Sequence, residues 1–200
     1  MGTRNLTMVI MGGKTRIAQY GQWDGYPDGQ GAIILAFLRS LYAPKLKING
    51  MKEKRHLKVF QEKLEKLEWI TQKDIDKVNA DPNWKTNYPY LSRDCGGAIL
   101  EEVYKRDNIK LKNSESFAGE SLFCEWAYVI DFDKGTFEVY KGFNKTPLTE
   151  EDRFFTTPMD KESPEYFQVK LAKSYPLKSF DEPLPSLEKF VADFKNDEEE

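Results

Sequence analysis

The chain predicts an α+β fold: an antiparallel sheet built from an N-terminal and a central β-hairpin, packed against several α-helices. Three observations carry that expectation. Two alternating segments close on glycine turns, Gly12-Gly13 and Asp133-Lys134-Gly135. Other stretches place apolar residues at intervals of three and four, the period of a half-buried helix. An aromatic share of 14%, with 13 Phe, 10 Tyr and 4 Trp, adds core volume that the aliphatic residues alone leave thin.

The elements follow in order. Thr3 to Met11 reads as a strand with Leu6, Met8 and Ile10 on one face and Thr7 and Val9 on the other. Thr15 to Tyr20 returns as its partner. A turn, Gln22 to Gly29, leads to a helix from about Gln30 to Tyr42 with Ile33, Ile34, Phe37, Leu38 and Leu41 at core spacing, and Pro44 stops it. Lys54 to Trp69 reads as a second helix through Leu57, Phe60, Leu64 and Leu67, with Lys and Glu opposite. Thr71 with Asp74 forms a capping box for a short helix ending near Asn79. After an irregular polar-aromatic stretch from Asp81 to Leu91, Ser92 to Gly97 opens a helix through Tyr104, and Asn108 to Gly119 reads as a surface loop. Leu122 to Phe132 and Thr136 to Tyr140 form the central hairpin. Pro147, Pro158 and Pro164 mark a long excursion, Tyr166 to Leu171 a last strand, and Ser186 the cap of a final amphipathic helix using Leu187, Phe190, Val191 and Phe194. One domain over residues 1–195 is expected, with an acidic disordered tail over 196–200.

Composition bounds the chemistry. A net charge of −3 gives no global reason to bind nucleic acid or an anionic membrane. No apolar run approaches the roughly 20 residues a membrane span needs, and the N-terminus does not read as a signal peptide. Cys95 and Cys124 suit a reducing compartment, so the expected location is the cytoplasm. One histidine, His56, excludes His-rich zinc sites, and no cofactor is expected. Between Lys45 and Lys58 six cations face Glu53 alone. That segment reads as a solvated linker or as a patch for phosphate or an acidic partner.

Two glycine-rich helix entries are the candidate site. In the first, Gln22, Trp23, Asp24, Tyr26, Gly29 and Gly31 gather amide, aromatic, carboxylate and glycine groups ahead of a helix. Free amides there favour a phosphate or carboxylate, unless Asp28 caps them itself. In the second, Arg93, Asp94 and Gly96 repeat the pattern, with a guanidinium suited to anions. Both segments read equally as capped helix starts packed on the hairpin. Arg4 sits on an apolar strand and needs a partner, for which Asp24 is the first candidate. Asp131 and Asp133 flank Phe132 as turn residues or as a carboxylate pair. Cys124 reads as a buried inert thiol; Cys95 lies at a helix N-terminus, which lowers a thiol's pKa.

Thr3-Arg4-Asn5-Leu6, the run Tyr20 to Pro27 containing Trp23-Asp24-Gly25-Tyr26-Pro27, and Gly29-x-Gly31 together resemble a family of phage and microbial proteins. Short members of that family carry Cys-His where this chain has Gly21-Gln22; longer ones share runs like Leu91 to Asp94 and Leu122 to Asp131. The resemblance implies a phage origin and brings no established activity. The expected function is a non-catalytic, phage-encoded binding protein for a small anionic or nucleotide-like ligand, sequestering a host signal. Two alternatives stay open: an N-terminal-nucleophile amide hydrolase using Thr3, and an interaction module that acts on a host protein through the basic segment and the C-terminal helix.

Overall fold

The computed structural model describes residues 2–42, 56–177 and 184–195. Pro44, residues 45–55 of the basic segment and the acidic tail over 196–200 lie outside the described residues; Lys58, the last cation of that segment, is described. In chain order the elements are β1 (Asn5–Met11), β2 (Lys14–Gly21), α1 (Ala32–Tyr42), α2 (His56–Glu65), β3 (Glu68–Trp69), α3 (Gln72–Ala80), α4 (Trp84–Asn87), α5 (Ile99–Lys105), β4 (Lys110–Leu111), β5 (Trp126–Asp131), β6 (Thr136–Lys141), β7 (Lys170–Pro176) and α6 (Leu187–Lys195).

Among the described residues, five strands form one sheet in the order β2-β1-β5-β6-β7, and β3 and β4 form a small second one. The main sheet is mostly antiparallel. Its one parallel junction, Asn5 opposite Trp126 through Ile10 opposite Asp131, joins the two hairpins. Local patterning sees each hairpin but not this seam, because more than a hundred residues separate β1 from β5. A connection that long lets the second hairpin enter from the same end as the first. Gly12 and Gly13 have φ of 64° and 66°, the left-handed pair that a two-residue hairpin turn requires. The Asp133 carboxylate accepts hydrogen bonds from both their amides, each at 2.8 Å, so the second hairpin's turn pins the first.

Each face of the sheet buries a different cover. Val9, Ile17, Tyr128, Ile130, Phe137 and Val139 meet the helices through Ile34, Leu38, Phe60, Leu64 and Phe190. Phe60 and Leu64 are the buried anchors of the charged helix α2; full burial of such side chains contributes about 1.5–3 kcal/mol each. On the other face Leu6, Met8, Ala127, Val129 and Tyr140 meet Phe117, Cys124, Leu148 and Phe154. That second cover comes from the segment before β5, through Phe117 and Cys124, and from the proline-marked excursion, through Leu148 and Phe154. Gln168 Nε2 ties the excursion internally, donating to the Phe155 and Thr157 carbonyls at 3.1 and 2.8 Å.

Several element boundaries differ from the sequence reading. The second helix stops at Glu65, and Glu68–Trp69 pairs with Lys110–Leu111 as a short parallel ladder. Asn108 to Gly119 is not a bare surface loop, since Ile109, Leu111, Phe117 and Ala118 are buried. The last strand runs Lys170–Pro176. Ile33 and Leu187 are exposed rather than in the core. The Thr71–Asp74 capping box is present, and the Ser186 hydroxyl accepts from the Lys189 amide at 3.2 Å. Within the described residues no helix is long and apolar enough to cross a membrane.

Candidate functional site

The first glycine-rich segment does not open directly into α1. Pro27–Gly31 forms one wide turn of π-helix, and α1 begins at Ala32. The amides of Gly29 and Gly31 donate to the Tyr26 carbonyl at 3.0 and 3.2 Å, and the Gln30 amide donates to the Asp24 carbonyl at 2.8 Å. Asp28 makes no capping bond; Tyr26 occupies the cap position, with no side-chain hydrogen bond to the turn. Asp24 is exposed with φ of 56°, and a Cβ on Gly29 would lie 2.3 Å from its carbonyl oxygen. Gly31 packs against Tyr128 and Phe190, and a Cβ there would stand 3.0 Å from both rings.

The second segment enters α5 through a short 3-10 turn, Gly96–Ala98. Gly96 has φ of 49°, and a Cβ there would fall 2.5 Å from Gln30 Oε1. Instead of standing apart as two anion cradles, the two segments bond to each other. Gln30 Oε1 accepts from the Gly97 amide at 2.7 Å. The Gln22 amide donates to the Arg93 carbonyl at 2.9 Å. Trp23 Nε1 donates to Asp94 Oδ1 at 2.8 Å, although the indole is 48% exposed. Tyr128 reaches up from β5 and donates to the Gly25 carbonyl at 2.7 Å. Much of the polar density that marks this region in the sequence therefore stitches it shut.

Arg4 and Asp24 do not form the expected ion pair. The Arg4 guanidinium lies 4.5 Å from the Phe123 ring centroid, and its Nε is buried without a partner among the described residues. The extended β1–β2 register carries Arg4 toward Gln22, whose Oε1 accepts from the Tyr20 hydroxyl at 2.7 Å. Burial raises the Tyr20 pKa above its ordinary value, while the charges of Arg4 and Arg93 oppose that rise. Arg4 and Arg93 thus act on one phenol; Asp24 and Tyr26 belong to the turn above Tyr128.

The thiols are quiet. Burial, and then the charge of Glu102, push Cys95 up to about 12, so burial overrides the pull expected of its helix entry. Cys124 is fully buried and is raised well above its ordinary value, first by burial. Thr3 is buried behind Gly2, and its carbonyl accepts from the Gly25 amide at 2.9 Å. Asp131 serves its own turn, accepting from the amides of Asp133 and Lys134 at 3.0 and 2.9 Å.

One concave surface lies next to Arg93. A cleft of about 220 Å³ opens between α3 and the body, with Ile70, Ile75, Val78 and Leu91 as apolar walls. Trp84 forms one side, and Asn79, Arg93 and Lys112 supply its polar groups. Among the described residues neither cation has a carboxylate partner within salt-bridge distance. A second cleft of about 190 Å³ shares Ile70, Val78 and Leu91 with the first. Of this set only Arg93 was singled out in the sequence. Trp84 and Tyr88 stand in the stretch that reads there as irregular and polar-aromatic, and that aromatic content is the signal that could have found them. Lys112 carries no local signal.

No group of three His, Cys, Asp or Glu side chains able to hold a metal ion occurs among the described residues. The chain matches no protein-family model, no curated protein and no solved structure.

Proposed function

We propose that the protein is a non-catalytic binding protein for a small anionic, nucleotide-like ligand, held in the cleft between α3 and the body. One observation carries this reading: two cations without carboxylate partners among the described residues, Arg93 and Lys112, rim a cleft with apolar walls and an indole side. Small-molecule sites have this character, largely apolar with a few placed polar groups. A guanidinium and an ammonium favour a phosphate or carboxylate. Trp84 favours a planar ring, and the Asn79 amide offers a donor and an acceptor to the ring's edge. The two free thiols support a reducing compartment, the cytoplasm, as the setting.

Thermal unfolding of the intact chain with nucleoside monophosphates, or with inorganic phosphate, tests this. A ligand present at a hundredfold excess over its Kd is expected to raise Tm by about 5–10 °C. Arg93→Ala and Lys112→Ala should each remove most of that shift while leaving the unliganded Tm near that of the parent. A well-folded protein whose Tm is unmoved by every anion tried would overturn the reading.

A further inference from the structure

The second cleft repeats the first. Each has an aromatic side, Trp84 in one and Tyr88 with Tyr90 in the other. Each has an asparagine amide, Asn79 and Asn108. Each also has a cation without a carboxylate partner among the described residues: Arg93 and Lys112 in the first, Lys77 in the second. Lys110, which also lines the second cleft, is already held by Asp74 at 3.1 Å. The sill between the clefts is Ile70, Val78 and Leu91, apolar side chains common to both.

Helix α3 roofs the two together. Ile75 and Asn79 reach the first cleft, Asp74 and Lys77 the second, and Val78 both. No residue of α3 is buried, so the helix rests on a surface it does not fill. Either cleft alone, at about 220 or 190 Å³, is below the roughly 300 Å³ at which ordinary ligand sites begin, so a larger ligand has to use both.

Resting on the binding reading above, we propose that the two clefts are half-sites of one composite site, and that its ligand is a dinucleotide. One ring lies against Trp84 and the other against Tyr88 and Tyr90. The anionic linkage falls to Arg93 and Lys112, and Lys77 faces the far end. A ligand with a ring at each end uses both duplicated sets of groups, whereas a mononucleotide leaves one set in water.

Calorimetric titration of the intact chain with AMP and with the linear dinucleotide pApA tests the proposal. Stacking of the second base predicts that pApA binds at least about tenfold tighter than AMP. Tyr88→Leu, which keeps the apolar bulk, and Lys77→Ala should each shrink that advantage. Arg93→Ala should weaken both ligands. Equal affinities for AMP and pApA, with AMP binding intact, overturn the composite site and leave the simpler binding reading standing. Binding of neither overturns both. A tenfold advantage that survives both variants overturns the assignment of the second half-site.

Discussion

Gln30 Oε1 accepts the Gly97 amide at 2.7 Å across 67 residues of sequence, and this bond locks the two glycine-rich segments together. Gln30 is a buried polar side chain, and its Nε2 also reaches the Trp23 carbonyl at 3.4 Å. A buried amide without a partner costs far more than an exchanged hydrogen bond returns. The joint is therefore a structural device whose removal should be felt by the whole fold.

Gln30→Ala leaves the Gly97 N–H buried and unpaired, and should destabilise by about 1–3 kcal/mol. Gly96→Ala should cost at least as much. It imposes a left-handed φ on a residue with a Cβ, at about 1–2 kcal/mol, and presses that Cβ into the Gln30 amide. Urea unfolding followed by tryptophan fluorescence reads both values. An unchanged midpoint in Gln30→Ala would show that the joint contributes nothing.

A second buried device holds the long excursion to the sheet. Arg153 Nη2 donates to Asp131 Oδ2 at 2.7 Å, and its Nε donates to Glu138 Oε2 at 2.8 Å. The Tyr140 hydroxyl also donates to Glu138 Oε2, at 2.6 Å. Both carboxylates are buried, so Arg153→Met strands two negative charges and should cost about 3–5 kcal/mol at neutral pH. Burial pushes the Glu138 pKa up, but its bonds to Arg153, Tyr140 and Thr136 win and hold it below its ordinary 4.5. A depressed folded pKa gives stability that is complete above the unfolded value and is lost as pH falls through the folded one. The gap between parent and Arg153→Met should accordingly be widest at pH 7 and shrink below about pH 4. Urea midpoints for both proteins at pH 7 and pH 3 measure it, and a gap that widens in acid contradicts the assignment.

The thiols offer a simpler check. With Cys95 held near 12, on the order of one molecule in ten thousand carries its thiolate at pH 8, and burial raises Cys124 as well. Native protein should react with an aromatic disulfide reagent far more slowly than a free thiol does. Both cysteines should react at once in denaturant. Rapid native labelling of Cys95 would mean that its helix entry is open to solvent.

What the sequence disclosed follows from the range of the forces involved. Turns and amphipathic faces are local, so Gly12-Gly13, the Thr71–Asp74 box and the Phe190–Phe194 face were legible. The parallel seam of β1 on β5 and the Asp133 staple join residues more than a hundred positions apart, and no local pattern encodes them. The Trp23–Gly31 region stood out in the sequence by its polar and aromatic density. Its partners were invisible, since Asp94, Gly97 and Tyr128 arrive from distant elements to use the groups that a ligand would otherwise meet. Arg93 was legible as a cation, but the cleft beside it depends on Lys112 and α3, which only the tertiary fold brings near.

Helix α3 itself carries the last prediction. It buries no residue, and among the described residues no other helix or strand packs along it closely. Its one side-chain ion pair to the body among the described residues runs from Asp74 to Lys110. Bonds from Thr71, then the contact with Lys110, hold the Asp74 carboxyl far below the usual carboxylate range, so the pair is fully ionised at neutral pH. Few buried apolar contacts and one polar tether are the marks of a segment that opens well below the cost of global unfolding. Amide hydrogen exchange at pH 7 should therefore be fast over Gln72–Ala80 and slow through β1 and β5. Asp74→Asn should speed exchange in α3 further, because it weakens both the tether and the capping box, and should leave β5 protection unchanged. A ligand seated beneath the helix should slow α3 exchange in the parent protein. Protection of α3 equal to that of β5 in the unliganded chain would show that the helix is part of the core after all, and that the groove beneath it does not open.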